Sequence, residues 1–330
     1  MGAMELVTKK NLMLFAGRGN EQLSKEIAEH LGVPLGEIVL SSFANGELYC
    51  RYGESIRGAD VFIVQSHCEP INDRIWEQLL MLDAAKRASA KRITAVCPFY
   101  GYGRQDRKAE GREPISARLL ADCLTAAGAD RVVTVDLHTG QAQGFFDFPV
   151  DHLTAVPLLA EHLARRLTGD VTVVTPDAGG GKLMARFANY LRDHDIDPEM
   201  AYIDKRRPKG THNVARAHQV VGLVEGRTCV LVDDMIDTAG TITSAADLLT
   251  ERGASDVYVA ATHGVLSGPA VDRLANAPIR EVVLTNTLPI PGEKQFDNLT
   301  VLSIARTVAN ALNAVFSESS VSEIFRGDNV

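Results

Sequence analysis

Short runs rich in β-branched residues recur along the chain, and they are apolar on both faces instead of alternating. They are "ADVFIVQS" (59–66), "KRITAVCPF" (91–99), "DRVVTVDLH" (130–138), "DVTVVTPD" (170–177), "TCVLVDD" (228–234), "DVYVAATH" (256–263) and "EVVLTNT" (281–287). A strand that buries both faces needs cover on both sides of its sheet. The runs therefore predict mainly parallel sheet, flanked by helices, in an α/β fold. Helical patterns lie between them: residues 74–90 carry Ile75, Leu79, Leu82 and Ala85 near helical spacing, and residues 115–127 behave likewise.

At 330 residues the chain has room for roughly two domains of ordinary size. An internal echo agrees, because "ADCLTAAGADRVVTVDLH" (121–138) aligns without a gap on "ADLLTERGASDVYVAATH" (246–263). A helix, a glycine-containing cap and a strand recur in both. The expectation is two similar domains, residues 10–154 and 155–325, divided where "FPVDHLTAVP" (148–157) supplies two prolines.

The net charge of −8 argues against bulk affinity for nucleic acid, which needs a basic stripe to displace counterions. No apolar stretch approaches the roughly twenty residues that cross a bilayer, so neither membrane insertion nor any location but the cytoplasm is expected. Cys50, Cys68, Cys97, Cys123 and Cys229 are scattered without a C-x-x-C spacing, which predicts reduced thiols.

"CVLVDDMIDTAGTI" (229–242) reads as a buried strand that stops on Asp233 and Asp234 and then turns small and hydroxylated. In open α/β sheets, ligands bind beyond the carboxyl ends of the strands. The segment Asp237, Thr238, Ala239, Gly240 and Thr241 offers backbone N–H groups and hydroxyls ahead of a helix, an arrangement suited to a phosphate monoester. In that reading the carboxylates accept hydrogen bonds from sugar hydroxyls. The simpler reading is that one of the two aspartates caps the helix.

"VLVDDMIDTAGT" resembles the phosphoribosyl-pyrophosphate motif of type I phosphoribosyltransferases, and in this wording resembles the ribose-phosphate pyrophosphokinase family. "FANGE" (43–47), "GRQDRK" (103–108), "GREPISARL" (111–119), "VDLHTGQAQGFFDFPVDHL" (135–153), "DKRRP" (204–208) and "THGVLSGPA" (262–270) are also similar to motifs of that family. The resemblance implies transfer of the β,γ-diphosphoryl group of ATP to O1 of ribose 5-phosphate, with Mg²⁺, yielding phosphoribosyl pyrophosphate for nucleotide biosynthesis and AMP.

It also implies site residues. His138 and Asp177 serve the metal-triphosphate site, and Lys205 and Arg207 belong to a mobile catalytic loop, with His138 counted among the catalytic residues. Phe43, Asn45 and Glu47 meet the adenine across a subunit interface, and Arg104 and Gln105 contact ATP. Asp233, Asp234 and residues 237–241 hold ribose 5-phosphate. For phosphate-activated members, Ser55, Arg57, Ala88, Ser89, Ser320, Val321 and Ser322 match an interface site for phosphate and ADP in a homo-hexamer. Two other readings stand beside this one: a non-catalytic regulatory homologue, and a transferase that consumes phosphoribosyl pyrophosphate.

Two glycine-rich stretches point elsewhere only superficially. "DAGGGKL" (177–183) has Pro176 and Leu183 where a phosphate-binding P-loop needs Gly and Ser or Thr, and "GYGRQD" (101–106) lacks the third glycine of a dinucleotide fingerprint. His263 is read as structural.

Overall fold

The computed structural model describes residues 11–206 and 216–325, the side chains at 205, 206 and 216–218 excepted. The described residues form two compact units. In the first, β1 (Leu12–Ala16) leads to α1 (Glu21–Leu31), then to the hairpin strands β2 (Ile38–Ser42) and β3 (Leu48–Tyr52). Next come β4 (Asp60–Val64), α2 (Ile71–Arg87), β5 (Arg92–Cys97), α3 (Ser116–Ala127), β6 (Arg131–Val135) and β7 (Val150–Leu153). The sheet order is β1-β4-β5-β6-β7, and every pairing is parallel. All of β4 is buried, as expected of a strand inside a parallel sheet.

The hairpin follows the other strand pattern. Ile38, Leu40, Cys50 and Tyr52 pack against the core, while Val39, Ser41, Tyr49 and Arg51 face outward, the alternation of a sheet with one wet side. Tyr52 stands edge-on to Phe15 with ring centroids 4.7 Å apart and donates its hydroxyl to the Met81 carbonyl. Helix α2 ends earlier than residue 90 because Ser89 adopts a left-handed backbone, φ 61°, which a helix cannot continue through.

The second unit begins with α4 (Val156–Ala164), β8 (Val171–Thr175), α5 (Gly181–Arg192), β9 (Glu199–Arg206) and β10 (Arg216–Val221). It continues through β11 (Thr228–Ile236), α6 (Gly240–Glu251), β12 (Asp256–Gly264), α7 (Ala270–Asn276), β13 (Glu281–Thr285) and β14 (Leu299–Leu302). The sheet order is β10-β9-β8-β11-β12-β13-β14; β10 runs antiparallel to β9, and the remaining pairings are parallel. From β8 the chain moves to β9 on one side, whereas from β11 it moves to β12 on the other. Crossovers of one hand that diverge in this way leave their helices on opposite faces and open a crevice between β8 and β11. Helix α5 packs with α4, and α6 with α7.

The internal echo corresponds to α3–β6 and α6–β12, where Gly128 (φ 108°) and Gly253 (φ 84°) supply left-handed turns after the helices. The last helix, α8 (Ala305–Ser317), departs from the expected division at 155–325. It belongs with residues 11–153, and the second unit is Thr154–Ile304. The cause is its apolar face: Ala305, Val308, Ala309, Leu312 and Val315 are buried and lie against α1 and β7. Among the described residues, no helix is long and apolar enough to cross a membrane. The five cysteines are free, Cys97 and Cys229 buried and the others half-buried.

Leu312→Ala, at a fully buried position of α8, is expected to cost about 2–5 kcal/mol of stability. Hydrogen exchange should place the lost protection within residues 11–153; a loss confined to residues 154–304 would contradict the assignment of α8 to the first unit.

Candidate functional site

Unequal strand lengths expose the carboxylate pair. β11 pairs with β8 only as far as Leu231 opposite Val174, yet with β12 as far as Ile236 opposite Gly264. The strand therefore does not stop at Asp233 and Asp234, because β12 carries it onward. On its other side the crevice opens beside both residues. Asp177 lies just past the end of β8, where its Oδ1 accepts the Gly179 N–H at 2.8 Å and its carbonyl accepts the Thr175 hydroxyl at 2.8 Å.

Electrostatics ties these groups together. Burial pushes the Asp233 carboxyl up to about 8, with the neighbouring Asp234 adding to the shift and Asp177 contributing further. One contact acts the other way, the Asp234 N–H donating to Asp233 Oδ1 at 2.9 Å. A protonated carboxyl at neutral pH is a site that a cation or several hydroxyl donors would return to its charged form. Among the described residues, no group of three or more His, Cys, Asp or Glu side chains is arranged to hold a metal ion.

Neither aspartate caps α6. The residue at the helix N-cap is Ala239, which has no side-chain hydrogen bond to offer, so the first-turn N–H groups lack the usual side-chain acceptor. Ala239 adopts φ 60°, a left-handed conformation that costs an alanine about 1–2 kcal/mol. The loop is held instead through its carbonyls. Ser267 N donates to Asp237 O at 2.9 Å, Arg273 Nη1 to Thr238 O at 2.9 Å, and Thr243 Oγ1 to Ala239 O at 3.1 Å. Thr238 and Thr241 are exposed. Helix α5 likewise starts without a side-chain cap, so the helices that follow β8 and β11 both begin with uncapped, positive ends beside the crevice.

In the first unit, the loops that follow β5 and β6 meet. Thr139 Oγ1 donates to Asp106 Oδ2 at 2.9 Å, and a Cβ on Gly103 would lie 3.9 Å from the His138 Cβ. His138 is exposed. Its approach is set by Asp136, at φ 35°, and by the Leu137 N–H donating to His152 Nε2 at 2.9 Å. Arg104 and Gln105 are exposed as well. Gln105 is tethered to the start of α3, its carbonyl accepting the Ala117 N–H at 3.2 Å and its Oε1 accepting the Ser116 hydroxyl at 2.7 Å.

Phe43, Asn45 and Glu47 occupy the exposed tip between β2 and β3. Gly46 turns the chain at φ 92°, Asn45 Oδ1 accepts the Glu47 N–H at 3.2 Å, and the Phe43 ring, 56% exposed, stands edge-on to Tyr49. The residues expected to bind effectors all fall in the first unit, at its surface except for Ala88, which is half-buried, and Val321, which is buried. Gly58 N donates to Ser89 O at 2.9 Å, which draws the turn of Ser55 and Arg57 toward Ala88 and Ser89. An Arg92–Glu318 ion pair at 3.8 Å draws in the segment that leads to Ser320, Val321 and Ser322. His263 is buried with Nδ1 2.9 Å from the Thr287 hydroxyl. Arg207 lies outside the described residues, as does the Lys205 side chain. Arg273, His152 and Ser116 support the site loops without any spacing in the sequence that would have marked them.

The raised Asp233 has a thermodynamic sign. Its folded form keeps a proton that the unfolded chain, at the ordinary 3.8, has released, so stability falls as pH rises from about 4 to about 8. Asp233→Asn removes this loss. Thermal melts should show the variant above wild type at about pH 9 and the difference closing near pH 4; a pH-independent difference would assign the effect to packing.

A family model for the N-terminal domain of ribose phosphate pyrophosphokinase matches residues 12–128, and one for the phosphoribosyl synthetase-associated domain matches residues 195–326. The ribose-phosphate pyrophosphokinase of Streptomyces avermitilis is 54% identical over 326 residues, covering 98% of this chain and 99% of that protein. That of Bifidobacterium longum is 55% identical over 319 residues, covering 96% of this chain and 93% of that protein. The crystal structure of phosphoribosylpyrophosphate synthetase from Mycobacterium smegmatis matches with a TM-score of 0.87 at 53% identity, covering 94% of this chain and all of that one. With such identity running through both units, the chain belongs to the ribose-phosphate pyrophosphokinase family.

Proposed function

We propose that this enzyme transfers the β,γ-diphosphoryl group of ATP to O1 of ribose 5-phosphate, forming phosphoribosyl pyrophosphate and AMP. The observation that carries the reading is identity above one half, spread over nearly the whole chain, to ribose-phosphate pyrophosphokinases. A transferase that consumes phosphoribosyl pyrophosphate would not be expected to share both units.

The sugar phosphate belongs to the second unit. Its phosphate monoester sits on the N–H groups and hydroxyls of residues 237–241 at the uncapped start of α6. Asp233 and Asp234 accept hydrogen bonds from the ribose hydroxyls, and these donors favour the charged form of Asp233 that burial disfavours. Mg²⁺ fits the same donor set, because it keeps several waters, takes only one or two carboxylates, and binds mainly through substrate phosphates. Asp177 would supply the carboxylate, and a bound ion would neutralise charge on the triphosphate; His138 serves the triphosphate from the first unit.

ATP is held by first-unit residues. Arg104 and Gln105 contact the nucleotide, and Phe43 offers its exposed ring to the adenine, with Asn45 and Glu47 beside it, in a neighbouring subunit of a homo-hexamer. Lys205 and Arg207 clamp the diphosphoryl group as it moves, a point charge and a planar fork for a transition state that accumulates negative charge. Phosphate activates and ADP inhibits at the cluster of Ser55, Arg57, Ala88, Ser89, Ser320, Val321 and Ser322.

The direct test incubates the protein with ATP, Mg²⁺, ribose 5-phosphate and inorganic phosphate and separates AMP from ADP. Sugar-dependent AMP matched by phosphoribosyl pyrophosphate is expected. ADP without AMP would replace the reading with ordinary kinase chemistry, and no turnover would replace it with a regulatory homologue. Lys205→Ala should lower kcat by roughly a hundredfold or more, with calorimetric affinity for ribose 5-phosphate unchanged, because its contact forms chiefly in the transition state. Unaltered kcat would remove Lys205 from the chemistry.

A further inference from the structure

The loop that carries Arg104 and Gln105 is fastened by a buried histidine in the neighbouring connection. His67 lies between β4 and α2, is 1% exposed, and uses both ring nitrogens. Nδ1 accepts the Gly101 N–H at 2.9 Å, and Nε2 stands 2.9 Å from Gln78 Oε1. The Gln78 amide nitrogen faces the Ile63 carbonyl at 3.4 Å, and the Cys97 thiol lies 3.4 Å from Gln78 Oε1, so the amide oxygen is the atom turned toward the ring. An amide oxygen cannot donate. The proton therefore resides on Nε2, leaving Nδ1 as the acceptor for Gly101. Burial pushes the imidazole down to about 4, which keeps it neutral and keeps that acceptor available at ordinary pH.

The contact is close because position 101 has no side chain. A Cβ there would lie 3.1 Å from His67 Cβ and 3.1 Å from Ile71 Cδ1. A second link joins the same two connections, the His67 N–H donating to the Phe99 carbonyl at 3.2 Å. Beyond Gly101 the chain passes through Tyr102, at φ 60°, whose hydroxyl donates to Asn72 Oδ1 at 2.6 Å, and reaches Arg104 and Gln105. Gly101 and Gly103 bracket this turn and leave its backbone free to move unless something outside holds it.

We propose that His67 is a positioning residue for nucleotide binding: by accepting the Gly101 N–H, it sets the backbone that presents Arg104 and Gln105. The proposal rests on the reading of those two residues as ATP contacts, and it assigns the effect to one ring nitrogen. Two amide variants separate the nitrogens. His67→Asn places an oxygen near the Nδ1 position and keeps an acceptor for Gly101. His67→Gln reaches Gln78 in place of Nε2 and loses that acceptor.

In steady-state kinetics, His67→Gln should raise KM for ATP about fivefold to tenfold, the scale of one buried hydrogen bond. His67→Asn should stay within about twofold of wild type, and KM for ribose 5-phosphate should be unchanged in both. Equal ATP KM values in the two folded variants, or parallel changes for both substrates, would overturn the proposal. Arg104→Ala is the reference. If it leaves KM for ATP at the wild-type value, the nucleotide assignment of the loop fails and the proposal with it; if it raises that KM while the two His67 variants agree, only the proposal fails. Should a variant not fold, residue-resolved hydrogen exchange on the wild type decides. A Gly101 amide protected relative to the exposed Gly111 is expected, and one that exchanges equally fast would overturn the hydrogen bond itself.

Discussion

Parallel pairing is the constraint on which the rest depends. When neighbouring strands run the same way, their carboxyl ends gather at one edge and each must be followed by a crossover. The loops after β5 and β6 in the first unit, and after β8 and β11 in the second, are therefore neighbours although far apart in sequence. β11 outruns its pairing with β8 while staying paired to β12, so the crevice is a direct product of strand length. Helices starting there without side-chain caps present their positive ends at the same edge.

That edge is also where the chain departs from comfortable conformations. Asp136 at φ 35° and Ala239 at φ 60° both follow strand ends, and Asp233 holds a carboxyl that burial and its neighbours make reluctant to ionise. Strain of about 1–3 kcal/mol at such a residue persists only where surrounding contacts over-determine it. Here they do. Asp136 N is held by Leu153 O, and the carbonyls around Ala239 are held by Ser267, Arg273 and Thr243. The stable sheets tolerate what the loops require.

The apolar runs were legible because a strand buried on both faces has few other uses, and they correspond to β4, β5, β6, β8, β11, β12 and β13. β1 was not legible, since "LMLFA" (12–16) contains no β-branched residue and suits a helix equally. β14 is only half-buried along its length, and β9 and β10 pair as a hairpin that no short turn announces. The carboxylate pair and its loop could be read from residue types. The placing of Asp177 beside Asp233 could not, because it follows from β8 and β11 being neighbours, and strand order is not written in local pattern. Likewise nothing in the local pattern of α8 says that its buried face lies against α1.

The place of α8 has a consequence for biogenesis. The first unit is discontinuous in sequence, built from residues 11–153 and 305–325 with the entire second unit inserted between them. At a synthesis rate of about 5–20 residues per second, the intervening segment takes roughly eight to thirty seconds to emerge. During that interval every strand of the first sheet has already emerged, but the face of α1 that α8 will cover is open to solvent. The unit encoded first is thus the last to be closed, because the helix that seals it emerges only after the whole of the second.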